Sequence, residues 1–257
     1  MSVLVTGGAG YIGSHMVLAL ADAGEAVTVL DNLSTGLRTA VDSRAELVEG
    51  DIGDAELVRG IFQRKNITDV VHFAGSIVVP ESVTDPLKYY SNNTAKTRNL
   101  IECCVKEAVP RFVFSSTAAV YGSPEQVPVT EDVQLAPMSP YGRSKLMSEW
   151  MLQDVAAAHE LTYVVLRYFN VAGADPAGRS GQSTKDATHL IKVAVERVAG
   201  KKIDARLDAR RAGDPAEIVA DAALARKTLG WKPEHDDLDE IVRHAFHWER
   251  KLIQAAG

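Results

Sequence analysis

Ser2-Val-Leu-Val-Thr-Gly-Gly-Ala-Gly-Tyr-Ile-Gly-Ser14 is the stretch whose reading decides the fold. Its β-branched run over residues 3–6 predicts a buried strand, and residues 11–23 carry apolar side chains at helical spacing. Between the two, Gly7, Gly10 and Gly13 let the chain turn tightly and bring its backbone against a ligand. The free N–H groups and positive dipole end of the following helix stabilise negative charge, as a pyrophosphate would bring. A glycine-rich turn alone is weak evidence, because many such turns are only structural. Here a second β-branched run, residues 26–30, ends in Asp31, 18 residues after Gly13. A carboxylate at that distance suits the two hydroxyls of an adenosine ribose and repels the extra phosphate of NADP, which predicts NAD as the ligand.

The alternation continues outward to about residue 170. Short apolar runs at 47–48, 70–73, 112–115 and 163–166 predict strands, and residues 55–65, 87–107 and 141–159 predict helices between them. Strand and helix in turn argue an α/β fold with a parallel sheet covered on both faces. Right-handed crossovers make it doubly wound and Rossmann-type, with ligands outside the carboxyl ends of the strands. Asp51-Ile52 and Phe73-Ala-Gly75 close the third and fourth strands on that edge, where an acid can meet the adenine amino group and small residues let a cofactor pass. After Asn170 the alternation lapses into a Gly-rich loop (172–178), a helix (186–199) and a stretch of turns and helices (210–252). The expected organisation is an NAD-binding domain over residues 1–170 and a smaller substrate-binding region over 171–257. Trp231 and Trp248 are expected to pack the C-terminal elements.

Composition narrows the partners. Of 257 residues 46% are hydrophobic and 24% charged, which excludes disorder. With 28 basic against 34 acidic residues the net charge is −6, and no basic cluster offers a phosphate-tracking surface. That argues against nucleic acid and anionic membrane and for a small solute. There is no run of 18 apolar residues, and the apolar stretch 16–21 lacks a basic flank, so a cytoplasmic setting is expected. Cys103 and Cys104, adjacent in a helix-like run, point to different faces and read as core thiols. His244 and His247 stand three apart with Glu249 nearby, but no third ligand follows at metal spacing, so no metal site is expected.

Tyr141-Gly-Arg-Ser-Lys145 places a phenol and an ammonium four apart on one helix face, with Pro140 marking the helix start. A cation buried beside a phenol lowers its pKa from about 10 toward neutrality, which would make a base for a sugar or alcohol hydroxyl. Ser115-Ser-Thr117 ends the fifth strand, where a hydroxyl can share the substrate oxygen with Tyr141.

Together these residues carry a resemblance. Thr6-Gly-Gly-Ala-Gly-Tyr-Ile-Gly-Ser-His15, Asp31-Asn32, His72-Phe-Ala-Gly75, Ser115-Ser-Thr-Ala-Ala-Val-Tyr-Gly122, Pro140-Tyr-Gly-Arg-Ser-Lys145 and Arg167-Tyr-Phe-Asn170 resemble the extended short-chain dehydrogenase/reductase superfamily, and within it the UDP-glucose 4-epimerase family. The motifs occur in order over nearly the whole chain. The resemblance implies Tyr141 as base, Lys145 as the anchor that tunes it and holds the ribose and nicotinamide, and Thr117 as the hydroxyl partner. It further implies NAD contacts from Tyr11, Ile12, Asp31, Asn32, Asp51, Ile52, Phe73, Ala74, Gly75, Asn92 and Phe169, and a UDP-sugar held by Asn170, Arg211 and Asp214. The expected activity is reversible NAD-dependent epimerisation at C4 of a UDP-hexose through a 4-keto intermediate, in a homodimer. Related dehydratases carry an acid just after the strand-end hydroxyl; Ala118 and Ala119 stand there instead. Another UDP-sugar, an N-acetylhexosamine or a pentose, is the alternative substrate, and Ile218, near the family's sugar-pocket gate, does not settle it.

One departure stands out. The family has several tens more residues before the Arg210-Arg-Ala-Gly-Asp214 turn, including an Arg-Asp-Tyr motif whose arginine pairs with the nucleotide phosphates. No Arg-Asp-Tyr occurs here, and Glu196-Arg197 reads as a join between two helices. Either the gene carries an internal deletion, which would make the chain an NAD-binding homologue of impaired activity, or the written chain omits a segment. An intact mass of 27.7 kDa supports the first and a clearly larger one the second.

Overall fold

The computed structural model describes residues 1–184, Ile191 and residues 217–256. Its centre is a six-stranded sheet with every pair parallel, in the order β3-β2-β1-β4-β5-β6. The strands are β1 (Ser2–Thr6), β2 (Ala26–Asp31), β3 (Glu46–Glu49), β4 (Asp69–His72), β5 (Arg111–Thr117) and β6 (Thr162–Tyr168). This is the doubly wound order, and its direction reverses between β1 and β4, which opens a crevice at their carboxyl ends.

Alternate residues of β1 feed two cores because successive side chains leave a strand on opposite faces. Leu4, with Leu30, Val70, Phe112 and Phe114, packs under α2 (Ala55–Lys65), α5 (Lys96–Lys106) and α6 (Pro140–Ala158) through Ile61, Leu100 and Leu152. Val3 and Val5, with Val27, Val29 and Val71, pack against Val17 of α1 (Tyr11–Asp22) on the other face. Cys103 and Cys104 are free thiols buried in the first core, as the sequence reading expected. Coverage of the α1 side thins at the edge strand, where Val164 keeps 37% exposure.

The long helix expected over residues 87–107 is present as one continuous helical run from Pro86 to Lys106, with a π-helical insertion in it. Short helices α3 (Val79–Thr84) and α4 (Pro86–Tyr89) lead into a wide π-helical turn, Tyr90–Ala95, before α5 begins. Asn93 in that turn is buried, its Oδ1 accepting Ser76 N–H at 2.7 Å and its Nδ2 donating to Ser76 C=O at 2.9 Å, so the turn is opened where the side chain reaches the loop after β4.

Past β6, residues 171–184 fold back over α1. Tyr11 Oη donates to Gly173 C=O at 2.7 Å, Ser14 and Ser180 share a hydroxyl hydrogen bond, and Arg179 pairs with Asp22. The C-terminal helices are α7 (Ala223–Leu229) and α8 (Leu238–Ala256). Trp248 of α8 lies against Gly181 and donates to Ser183, as expected, whereas Trp231 is 46% exposed. No helix among the described residues is long and apolar enough to cross a membrane. The expected helix over 186–199, the join at Glu196-Arg197, Arg211 and Asp214 lie outside the described residues.

Candidate active site

The turn after β1 shows why glycine is needed there. Gly7 takes φ +71°, and a Cβ on it would stand 2.6 Å from the Ala74 nitrogen, so the phosphate loop and the turn after β4 meet backbone to backbone. Gly10 caps α1 without any side-chain cap, and the first turn holds no acid, leaving the positive helix end at Tyr11, Ile12 and Gly13 open to an anion.

Asp31, buried at the end of β2, binds this loop directly: Oδ2 accepts Ala9 N–H at 3.0 Å and Oδ1 accepts Leu33 N–H at 2.8 Å. A carboxylate has further lone pairs, so these two bonds orient it without exhausting it. Leu33 itself is left-handed at φ 55°, an uncommon conformation for leucine. Asn32 donates to Asp51, which also takes Gly53 N–H and the Lys96 ammonium. Burial works against a charge on Asp51, but the Lys96 and Gly53 contacts outweigh it and hold the carboxyl below its ordinary value. Ile52 C=O accepts Asn99 at 2.6 Å, and Asn92 donates to Ser76 just past Phe73-Ala-Gly75. Asp31, Asp51-Ile52 and Phe73-Ala-Gly75 follow the carboxyl ends of β2, β3 and β4, as the sequence reading placed them.

The second half of the site comes from β5 and α6. Ser139 caps α6 by accepting Gly142 N–H, and Pro140 follows at the first helical position. Gly142 lets this turn close on the chain after β5, since a Cβ there would come within 2.7 Å of Ala119 C=O. That approach brings the Tyr141 phenol beside the Thr117 hydroxyl. One turn further, Lys145 is buried with Nζ on Ser115 C=O at 3.0 Å and 5.0 Å from the centre of the Phe114 ring.

The electrostatics correct one expectation. Burial raises the Tyr141 pKa above its ordinary 10, with the Thr117 hydroxyl opposing it, where the sequence reading expected a depression toward neutrality. Lys145 spends its charge on a carbonyl and a ring face, and burial lowers its own pKa from 10.5 to about 8. Phe169 and Ile218 pack on Val120, Tyr121, Val129 and Leu146 beside the trio, whereas Asn170 is exposed at the end of β6. Glu149, Arg167 and Asn93 were not singled out from the sequence for any role, although Glu149 repeats the four-residue spacing from Lys145 that relates Lys145 to Tyr141.

The crevice thus gathers an uncapped helix end, the buried Asp31 carboxylate and the Tyr141, Thr117 and Lys145 side chains along one sheet edge. A family model described as the NAD dependent epimerase/dehydratase family matches residues 3–215. The chain belongs to the NAD dependent epimerase/dehydratase family. Within this family it is 45% identical to UDP-glucose 4-epimerase of Azospirillum brasilense, taking in 99% of this chain and 94% of that protein. The crystal structure of UDP-glucose 4-epimerase from Brucella ovis in complex with NAD superposes with a TM-score of 0.92 at 35% identity, over 96% of this chain and 98% of that one. The enzyme from Bifidobacterium longum in complex with NAD+ and UDP does so with a TM-score of 0.91 at 29% identity, over 98% of each chain. The Azospirillum alignment runs over 326 positions, 69 more than the 257 residues present here, so at least that many positions of the relative have no counterpart in this chain.

Proposed function

We propose that the chain interconverts UDP-glucose and UDP-galactose by NAD-dependent epimerisation at C4 of the sugar. The observation that carries the reading is the buried Tyr141 phenol beside Thr117, one helical turn from buried Lys145, at the sheet edge that also holds the glycine-rich turn after β1. NAD, when bound, supplies the hydride acceptor and donor for C4. In this reading Gly7, Gly10, Gly13, Tyr11 and Ile12 hold its pyrophosphate, Asp31 and Asn32 its ribose, Asp51 and Ile52 its adenine end. Phe73, Ala74, Gly75, Asn92, Lys145 and Phe169 line the way to the reacting ring. Tyr141 takes the proton of the 4-hydroxyl and returns it after the ketose has turned over. Thr117 steadies the same oxygen, and Lys145 anchors the ribose and nicotinamide. Ala118 and Ala119 offer no acid to remove a C5 proton, so a 4-keto sugar formed here has only hydride return open to it. Asn170, Arg211 and Asp214 hold the nucleotide sugar.

We read residues 1–170, which contain all six strands, as the NAD-binding domain and 171–257 as the substrate side. A cytoplasmic homodimer completes the reading; two free buried thiols and the exposed apolar Leu87, Met147 and Trp150 support it.

The test is conversion of UDP-galactose by the purified chain with NAD supplied. Tyr141→Phe is expected to lower kcat by on the order of 10²- to 10⁴-fold while NAD stays bound. Undiminished activity in that variant sinks the mechanism. The 69 missing positions favour a second reading, a chain that binds NAD but turns over poorly; NAD binding without conversion in the unmodified chain selects it.

A further inference from the structure

Glu149 of α6 and Arg167 of β6 take no part in the chemistry described, yet they form a buried ion pair, Arg167 Nη2 to Glu149 Oε2 at 2.7 Å. Arg167 Nε also donates to both carboxylate oxygens, at 3.3 and 3.2 Å. Its Nη1 donates to Tyr121 Oη at 3.0 Å, and the guanidinium lies 5.0 Å from the centre of the Tyr121 ring. Ser116 and Arg167 are register partners on neighbouring strands, so their side chains leave the sheet together on the face that α6 covers, and Glu149 accepts the Ser116 hydroxyl as well.

Glu149 stands one turn beyond Lys145 and two beyond Tyr141, so all three share a side of α6. Three consecutive residues of β5 therefore hold three successive turns of that helix. Ser115 takes Lys145, Ser116 takes Glu149, and Thr117 stands beside Tyr141. Two of those contacts belong to the reacting trio. The third ties α6 to β5, to β6 and, through Tyr121, to the turn that follows Thr117.

We propose that the Glu149–Arg167 pair is a positioning device that fixes the rotation and axial register of α6 on β5, and thereby the approach of the Tyr141 phenol to the Thr117 hydroxyl. The proposal rests on the reading of those two groups as the reacting ones. A buried ion pair is a poor choice for stability alone, since apolar side chains of similar volume often serve as well or better. A geometric pin is another matter, because a forked guanidinium on a carboxylate has one good arrangement, and a shift of about 1 Å in a reacting group costs on the order of 10²-fold in rate.

The experiment uses the full chain with NAD and UDP-galactose, and compares Glu149→Gln with the double replacement Glu149→Leu/Arg167→Met. Glu149→Gln is expected to lower kcat at least about tenfold, with KM and NAD content within about threefold of the unmodified chain. The apolar double variant is expected to keep its Tm but not to recover kcat. A double variant with both Tm and kcat intact overturns the proposal, because the pair then serves only packing. Loss of kcat in Glu149→Gln that tracks loss of folded protein overturns it too. If the unmodified chain turns nothing over, the epimerase reading fails separately, and amide hydrogen exchange decides. Faster exchange confined to residues 141–146 in Glu149→Gln supports the pin, and unchanged exchange there overturns it.

Discussion

His72 ends β4 wholly buried, with Nδ1 2.6 Å from Thr6 Oγ1 and Nε2 2.8 Å from Thr97 Oγ1. Burial, with the Lys145 charge nearby, lowers its pKa from 6.5 to about 3. The folded chain thus keeps the ring neutral where the unfolded chain protonates it. This stability is present above pH 6.5 and is lost as the pH falls toward 3, at about 1.4 kcal/mol per pH unit. Urea unfolding of the wild type and of His72→Gln between pH 7 and pH 4 checks it: the variant loses that part of the slope, and parallel curves refute the assignment. The roles of Tyr141, Lys145 and Thr117 were suggested by residue type and spacing, but their ionisation was not. Spacing puts the ammonium near the phenol; only packing decides that Lys145 reaches Ser115 C=O and that burial raises Tyr141.

At the scale of elements, the start of α6 is the decisive joint. Helix propensity alone makes Gly142→Ala stabilising by about 1 kcal/mol. The added Cβ, however, would meet Ala119 C=O at 2.7 Å, so the turn must move off the chain after β5. We expect Gly142→Ala to destabilise by about 1–3 kcal/mol, the usual scale of overpacking, and to lower kcat because Tyr141 moves with the turn. Denaturant unfolding beside a kcat measurement gives the sign, and a more stable, fully active variant removes the joint from the account. Strand and helix positions were legible here because β-branched runs and 3.6-residue periodicity are local signals. The π-helical insertion at Tyr90–Ala95 was not, since it places Asn93 on Ser76, a partner 17 residues away in the chain.

For the whole molecule, exposed surface carries the prediction. Leu87 of α4 is 77% exposed and Trp150 of α6 is 54% exposed, with Val83 and Met147 also open on the neighbouring α3 and α6. Large apolar side chains gathered on helices that touch one another mark an association surface. Light scattering is expected to find a mass twice 27.7 kDa, and Trp150→Glu to shift it toward 27.7 kDa while the fold persists. A monomeric unmodified chain would contradict the dimer.

The doubly wound class, the glycine-rich turn after β1, Asp31 and the Tyr141–Lys145 helix were all readable from the chain alone, because each rests on contiguous residues whose pattern is local. So was a shortfall in length against the family, which the 326-position alignment bears out. Tertiary structure alone decided the charge state of the buried groups, the closing of residues 171–184 over α1 and the Ser116–Glu149–Arg167 tie. These depend on side chains brought together across the sheet, and no pattern along the chain encodes the low dielectric that packing creates around them.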